Sequence, residues 1–184
     1  MDKAAKLEFA QEILGYEFKD PSLLWEALQA PGSGVVSHAG HMYTNEGHKP
    51  LAGIEDTLLS LYIKNQARIR GQTIGKYHLG FAHMRLMYAA AKHITGVATN
   101  NLKAMANNHH LAEICDVNKL TRCINGNPAQ QGTISPKTKS DTVKAVLGAI
   151  YKDANNDMAP IKAVMLRLGI TMPHGSRVSP SVGI

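Results

Sequence analysis

Asp141-Thr142-Val143-Lys144-Ala145-Val146-Leu147-Gly148-Ala149-Ile150-Tyr151-Lys152-Asp153 is the stretch that decides the fold. Val143, Val146, Leu147, Ile150 and Tyr151 recur at spacings of three and four, which predicts a helix from about Lys137 with a core stripe. Working outward, Asn125 to Pro136 is rich in Asn, Gln, Gly and Pro and reads as a loop. On the other side, Ile161, Val164, Met165 and Leu168 predict a helix from Met158 that stops at Gly169.

The same periodicity runs through the rest of the chain. Leu7, Ala10, Ile13 and Leu14 form a stripe, and Asp20-Pro21 is a helix start whose buried face is Leu23, Leu24 and Ala27. A long helix is expected from Leu51 to about Ile69, with Ile54, Leu58, Leu61 and Tyr62 on one side. Two more are expected over roughly Gly75–Ile94, where Ala89, Ala90 and Ala91 permit close packing, and Asn100–Val117. The fold class is therefore all-α. The stretch from Ala30 to Pro50, which holds His38, His41, Tyr43 and His48, is the least regular.

Four segments carry a resemblance. Ile13-Leu14-Gly15-Tyr16-Glu17-Phe18 leads through Asp20-Pro21 into a short helix; Asn108-His109-His110-Leu111-Ala112-Glu113 follows much later, and Asp141 to Asp153 later still. The fourth is His48-Lys49-Pro50-Leu51-Ala52-Gly53-Ile54-Glu55-Asp56. Taken in chain order, the segments resemble those of the ribonuclease III family in theirs, and the likeness spans about Leu7 to Ile170. The family's own signature at the fourth segment is Asn-Glu-Arg-Leu-Glu-Phe-Leu-Gly-Asp, of which only Leu51 and Asp56 remain.

The resemblance implies a helical ribonuclease III-like domain over residues 1–170, with 171–184 as a short tail. It also implies four metal-ligand positions: Ala52, Asp56, Asp141 and Lys144, where active members carry Glu, Asp, Asp and Glu. Residues three or four apart on a helix share a face, so 52 lies beside 56 and 144 beside 141. A hard divalent cation needs several oxygen ligands to activate water for phosphodiester hydrolysis. Ala52 offers none and Lys144 adds a positive charge. Glu55 is rotated by roughly 100° from Asp56 and off the ligand face. The expectation is a catalytically degenerate member, of the fungal or ribosomal kind, with no cofactor and no Mg²⁺ binding.

Twenty basic and fourteen acidic side chains give a net charge of +6, compatible with a phosphate-bearing partner without requiring one. Lys and Arg are spread along the chain, and no basic run is interleaved with aromatics. The family commonly carries a double-stranded-RNA-binding module after the catalytic domain; only the tail follows here, so RNA affinity would come from this domain itself. Cys115 and Cys123 lack zinc spacing and read as free thiols in a reducing compartment. The N-terminal segment has no signal-like apolar core, and no run approaches membrane-spanning length. A cytoplasmic location is the simplest expectation.

Two classes of function stay open. One is a non-catalytic module that binds RNA or a ribonucleoprotein partner, in which Lys144 pairs with Asp56 and Asp141 as a structural ion cluster. The other is a small-molecule enzyme of cyclase or isomerase type in the remodelled cleft. It would use His38, His41, His48 and Tyr43 for proton transfer, unless these are solvated loop residues. Methionines such as Met84, Met87, Met105, Met158 and Met165 read as core filling. The family pairs as homodimers across the signature helix, where Glu55 now replaces a Gly.

Overall fold

The computed structural model describes residues 1–34, 37–38, 41–42, 45–69, 107–130 and 132–170. Among them α1 (Lys3–Leu14), α2 (Pro21–Ala27), a two-residue antiparallel hairpin of β1 (Ser37–His38) and β2 (His41–Met42), and α3 (Lys49–Ile69) come first. Then follow α4 (Asn108–Val117), a 3-10 turn (Leu120–Cys123), α5 (Pro136–Asp153) and α6 (Ala159–Leu168). The described residues are all-α apart from that short hairpin. The helix expected over Gly75–Ile94, Tyr43, Met84, Met87, Met105 and the tail lie outside the described residues.

Local chemistry sets the helix ends. The Asp2 carboxylate accepts from Ala5 N–H at 2.8 Å to start α1, and Gly15 at φ 62° ends it. Asp20 accepts from Ser22 N–H at 2.9 Å with Pro21 in the first turn of α2. Ser135 caps α5 through Thr138 N–H at 3.1 Å. Gly169 at φ 84° closes α6, and Ile170 N–H reaches back to the Met165 carbonyl at 2.8 Å. One helix starts later than its apolar pattern suggests. Asn107 is extended and its side chain accepts from His109 N–H, so α4 begins at Asn108 rather than continuing from Asn100.

The largest departure concerns α5. Its periodicity predicts one buried stripe, yet Thr142 to Ile150 are buried without exception. The helix runs through the middle of the domain, with α2, α3, α4 and α6 around it. Small residues make that possible. At Gly148 a Cβ would overlap the Leu51 carbonyl of α3, so the two backbones meet there directly. On α3, Leu51, Glu55, Leu58 and Tyr62 turn inward, whereas Leu61, expected on the same side, is exposed because it lies roughly 90° round the helix from the mean direction of those four.

Two sets of hydrogen bonds fasten the connections. Asn125 N–H donates to Leu28 O and Asn125 O accepts from Ala30 N–H, both at 2.9 Å, while His48 N–H donates to Gln29 O at 2.8 Å. These bonds bring residues 28–30, 45–48 and 124–125 side by side. At the far end of α5, the buried Asp153 carboxylate accepts from Tyr16 Oη at 2.7 Å, Lys19 N–H at 3.1 Å and Asp20 N–H at 2.8 Å. It holds the α1–α2 turn, and burial, together with this carboxylate, raises the Tyr16 phenol to a pKa of about 12. No helix among the described residues is long and apolar enough to cross a membrane.

Candidate functional site

The site expected from the sequence lies where the first turns of α3 pass α5. His48, in the turn that opens α3, comes within 3.4 Å of Thr142 Oγ1 on α5, one residue after Asp141. Ala52, one turn further along α3, is buried. Asp56 follows on α3, and its side chain lies outside the described residues. On α5, Lys144 is only 9 % exposed. The helices that bear the four positions therefore pack against each other although residues 52 and 144 are far apart in sequence.

Asp141 has a partner that the sequence reading did not name. Its Oδ2 lies 3.0 Å from Lys137 Nζ, an i, i+4 pair on α5. Next to it, Lys139 Nζ reaches Asp116 Oδ2 of α4 at 2.7 Å and, with the Thr121 hydroxyl, holds that carboxyl below its usual range. Glu55 is buried and lines a small apolar pocket with Leu58, Leu147 and Met158.

Of the four positions that the resemblance assigns to metal ligands, 52 holds a buried methyl group and 144 a nearly buried lysine, neither of which offers the oxygen ligand a hard cation takes. Among the described residues no three His, Cys, Asp or Glu side chains converge as a metal site.

The histidines divide. His38 and His41 face each other across the hairpin ladder, with their side chains outside the described residues. His48 is not a solvated loop residue: it is completely buried. The Thr142 hydroxyl donates to Thr138 O at 2.9 Å, so its proton is already used. His48 Nδ1 then carries the hydrogen shared with Thr142, which leaves Nε2 as a bare acceptor, buried and without a hydrogen-bond partner among the described residues. Burial pushes the pKa down to about 4, Asp141 opposes this, and Lys137 and Lys49 add to it. At neutral pH the ring has no acidic proton to give. Its burial rests on Gln29, whose carbonyl takes His48 N–H and whose buried amide donates to Trp25 O at 2.7 Å. Nothing in the sequence around Gln29 singles it out.

Both cysteines are buried free thiols, and burial raises Cys115 to a pKa of about 11.

This arrangement of helices defines a ribonuclease III-like domain. Among solved structures, the nuclease domain of ribonuclease III from Campylobacter jejuni matches with a TM-score of 0.59 and 24% identity over 91% of this chain and 94% of that one. A second structure of that nuclease domain, described for structural flexibility in a region involved in dimer formation, matches with a TM-score of 0.60 and 23% identity over 88% and 94%. No family profile and no curated protein sequence matches the chain. At this identity the likeness establishes the fold.

Proposed function

We propose that the chain is a non-catalytic ribonuclease III-like module that binds RNA or a ribonucleoprotein partner, without metal-dependent nuclease activity. The observation that supports this most is the pair Ala52 and Lys144, a methyl and an ammonium, both turned inward at positions where the fold's nucleases place carboxylates. In this reading Lys144 supplies the positive charge that a metal would bring, as a tethered cation that cannot activate water. The small-molecule alternative draws less support, since His48 is buried and neutral. A cytoplasmic homodimer belongs to the same proposal. Leu61 and Ile69, both largely exposed on α3, are the apolar side chains that a second copy would cover.

The purified chain is expected to leave double-stranded RNA intact with Mg²⁺ or Mn²⁺. Cleavage that disappears in Asp56→Asn would overturn the proposal. Calorimetry should likewise record no Mn²⁺ heat for the natural chain, whereas Ala52→Glu with Lys144→Glu should gain a binding isotherm; an unchanged flat trace in the double variant would mean that geometry as well as ligands has been lost. Binding to duplex RNA should weaken with salt. Each removal of a phosphate-contacting Lys or Arg should reduce the log–log slope by about 0.9, and His48→Asn should leave it unaltered.

A further inference from the structure

We infer that the open groove between α1, the end of α4 and the end of α6 is a docking site for an acidic, apolar-bearing segment of a protein partner. The inference rests on the reading of this chain as a binding module and names the surface that reading would use.

The groove is a product of how three helices end. Arg167 of α6 reaches over the last turn of α1, where Nε donates to Ile13 O at 2.8 Å and Nη2 to Glu12 O at 3.0 Å. Asn118, just past α4, donates through Nδ2 to Ile114 O at 2.9 Å and to Leu168 O at 3.2 Å. These bonds fix the helix ends around an open depression of about 430 Å³, room for several side chains of a partner. Its apolar part is Phe9, Ile13 and Val117. Val117 is 79 % exposed, and Leu166, the neighbour of Arg167 in α6, is 70 % exposed.

Charge selects the occupant. Lys119 and Arg167 line the groove together with a single carboxylate, Glu12, and the Arg122 guanidinium stands 5.2 Å over the Phe9 ring. Two cations against one anion in the lining, beside Phe9, Ile13 and Val117, suit a segment that carries carboxylates beside a large apolar side chain. Lys119 is held at φ 62°, a left-handed conformation that costs a non-glycine residue energy and sets the direction in which its side chain leaves the turn. A nucleic acid fits less well. Arg122 covers one face of Phe9, which leaves a base only the other face to stack on.

The test uses the full chain and a short fluorescein-labelled synthetic peptide with Leu and Glu at helical spacing, read by anisotropy at low salt. A peptide with every Glu changed to Lys and a single-stranded RNA of similar length serve as comparisons. Val117→Asp and Lys119→Glu alter exposed side chains, and circular dichroism confirms that both variants fold. The acidic peptide should bind, its lysine counterpart should not, and each variant should raise Kd about tenfold or more. Absence of acidic-peptide binding, or binding indifferent to both variants, overturns the inference. So does RNA binding that is lost in Lys119→Glu without any peptide binding, which would give the groove to nucleic acid. If RNA still binds at another surface while the peptide ignores the groove variants, the binding-module reading stands and only the groove fails.

Discussion

Gly148→Ala should destabilise the domain by about 3 kcal/mol, even though alanine is the better helix former by roughly 1 kcal/mol. The opposing signs make the experiment informative. In an exposed helix the substitution would stabilise; at Gly148 the added Cβ overlaps the Leu51 carbonyl, which is backbone and cannot rotate aside. The α3–α5 pair must then separate, and with it the turn that carries His48 and Ala52. Gly53, on the exposed side of α3 with nothing within 4 Å of a built Cβ, is the internal control. Gly53→Ala should raise the melting temperature slightly, while Gly148→Ala should lower it by something on the order of 10 °C. A higher melting temperature in Gly148→Ala would show that the two helices do not meet at this point.

The second large effect is on pH dependence. His48 titrates near 4 in the folded chain against an ordinary 6.5. Its folded pKa is depressed, so the unfolded chain binds more protons between those values, and unfolding becomes easier as the solution is acidified. The contribution is complete above pH 6.5 and is lost as pH falls through 6.5 toward 4, a total of about 3 kcal/mol. His48→Asn keeps a donor near the Nδ1 position for Thr142 but cannot titrate. Urea denaturation across this range should show a slope in the natural chain that is reduced in the variant. Equal slopes in the two proteins would mean that His48 is solvated.

These two sites also mark how far the sequence could be read. The helices with strong end signals were legible: Asp20-Pro21 before α2 and Gly169 after α6 act through bonds to residues a few positions away. The Asp141–Asp153 run announced a helix, but a spacing of three and four cannot show that the intervening Thr142, Ala145 and Ala149 are covered as well. That depends on neighbours brought from α2, α3 and α4. The pairing of positions on α3 and α5 followed from the resemblance alone. Burial of His48 was invisible for a related reason, since it is produced by Gln29 and Thr142, which are remote in sequence and ordinary in kind. Lys137, four residues before Asp141, could have been found from helical spacing, because the pair is local.

The position of α5 bears on how the chain is made. Its burial is supplied by α2 and α3, which precede it in sequence by dozens of residues, and Asp153 at its end ties down the backbone N–H groups of Lys19 and Asp20. During synthesis the first helices leave the ribosome long before the element that covers them. The faces of α2 and α3 that pack on α5 stay uncovered by it until residue 153 has emerged, which leaves the nascent chain open to chaperones and to association with other unfinished chains.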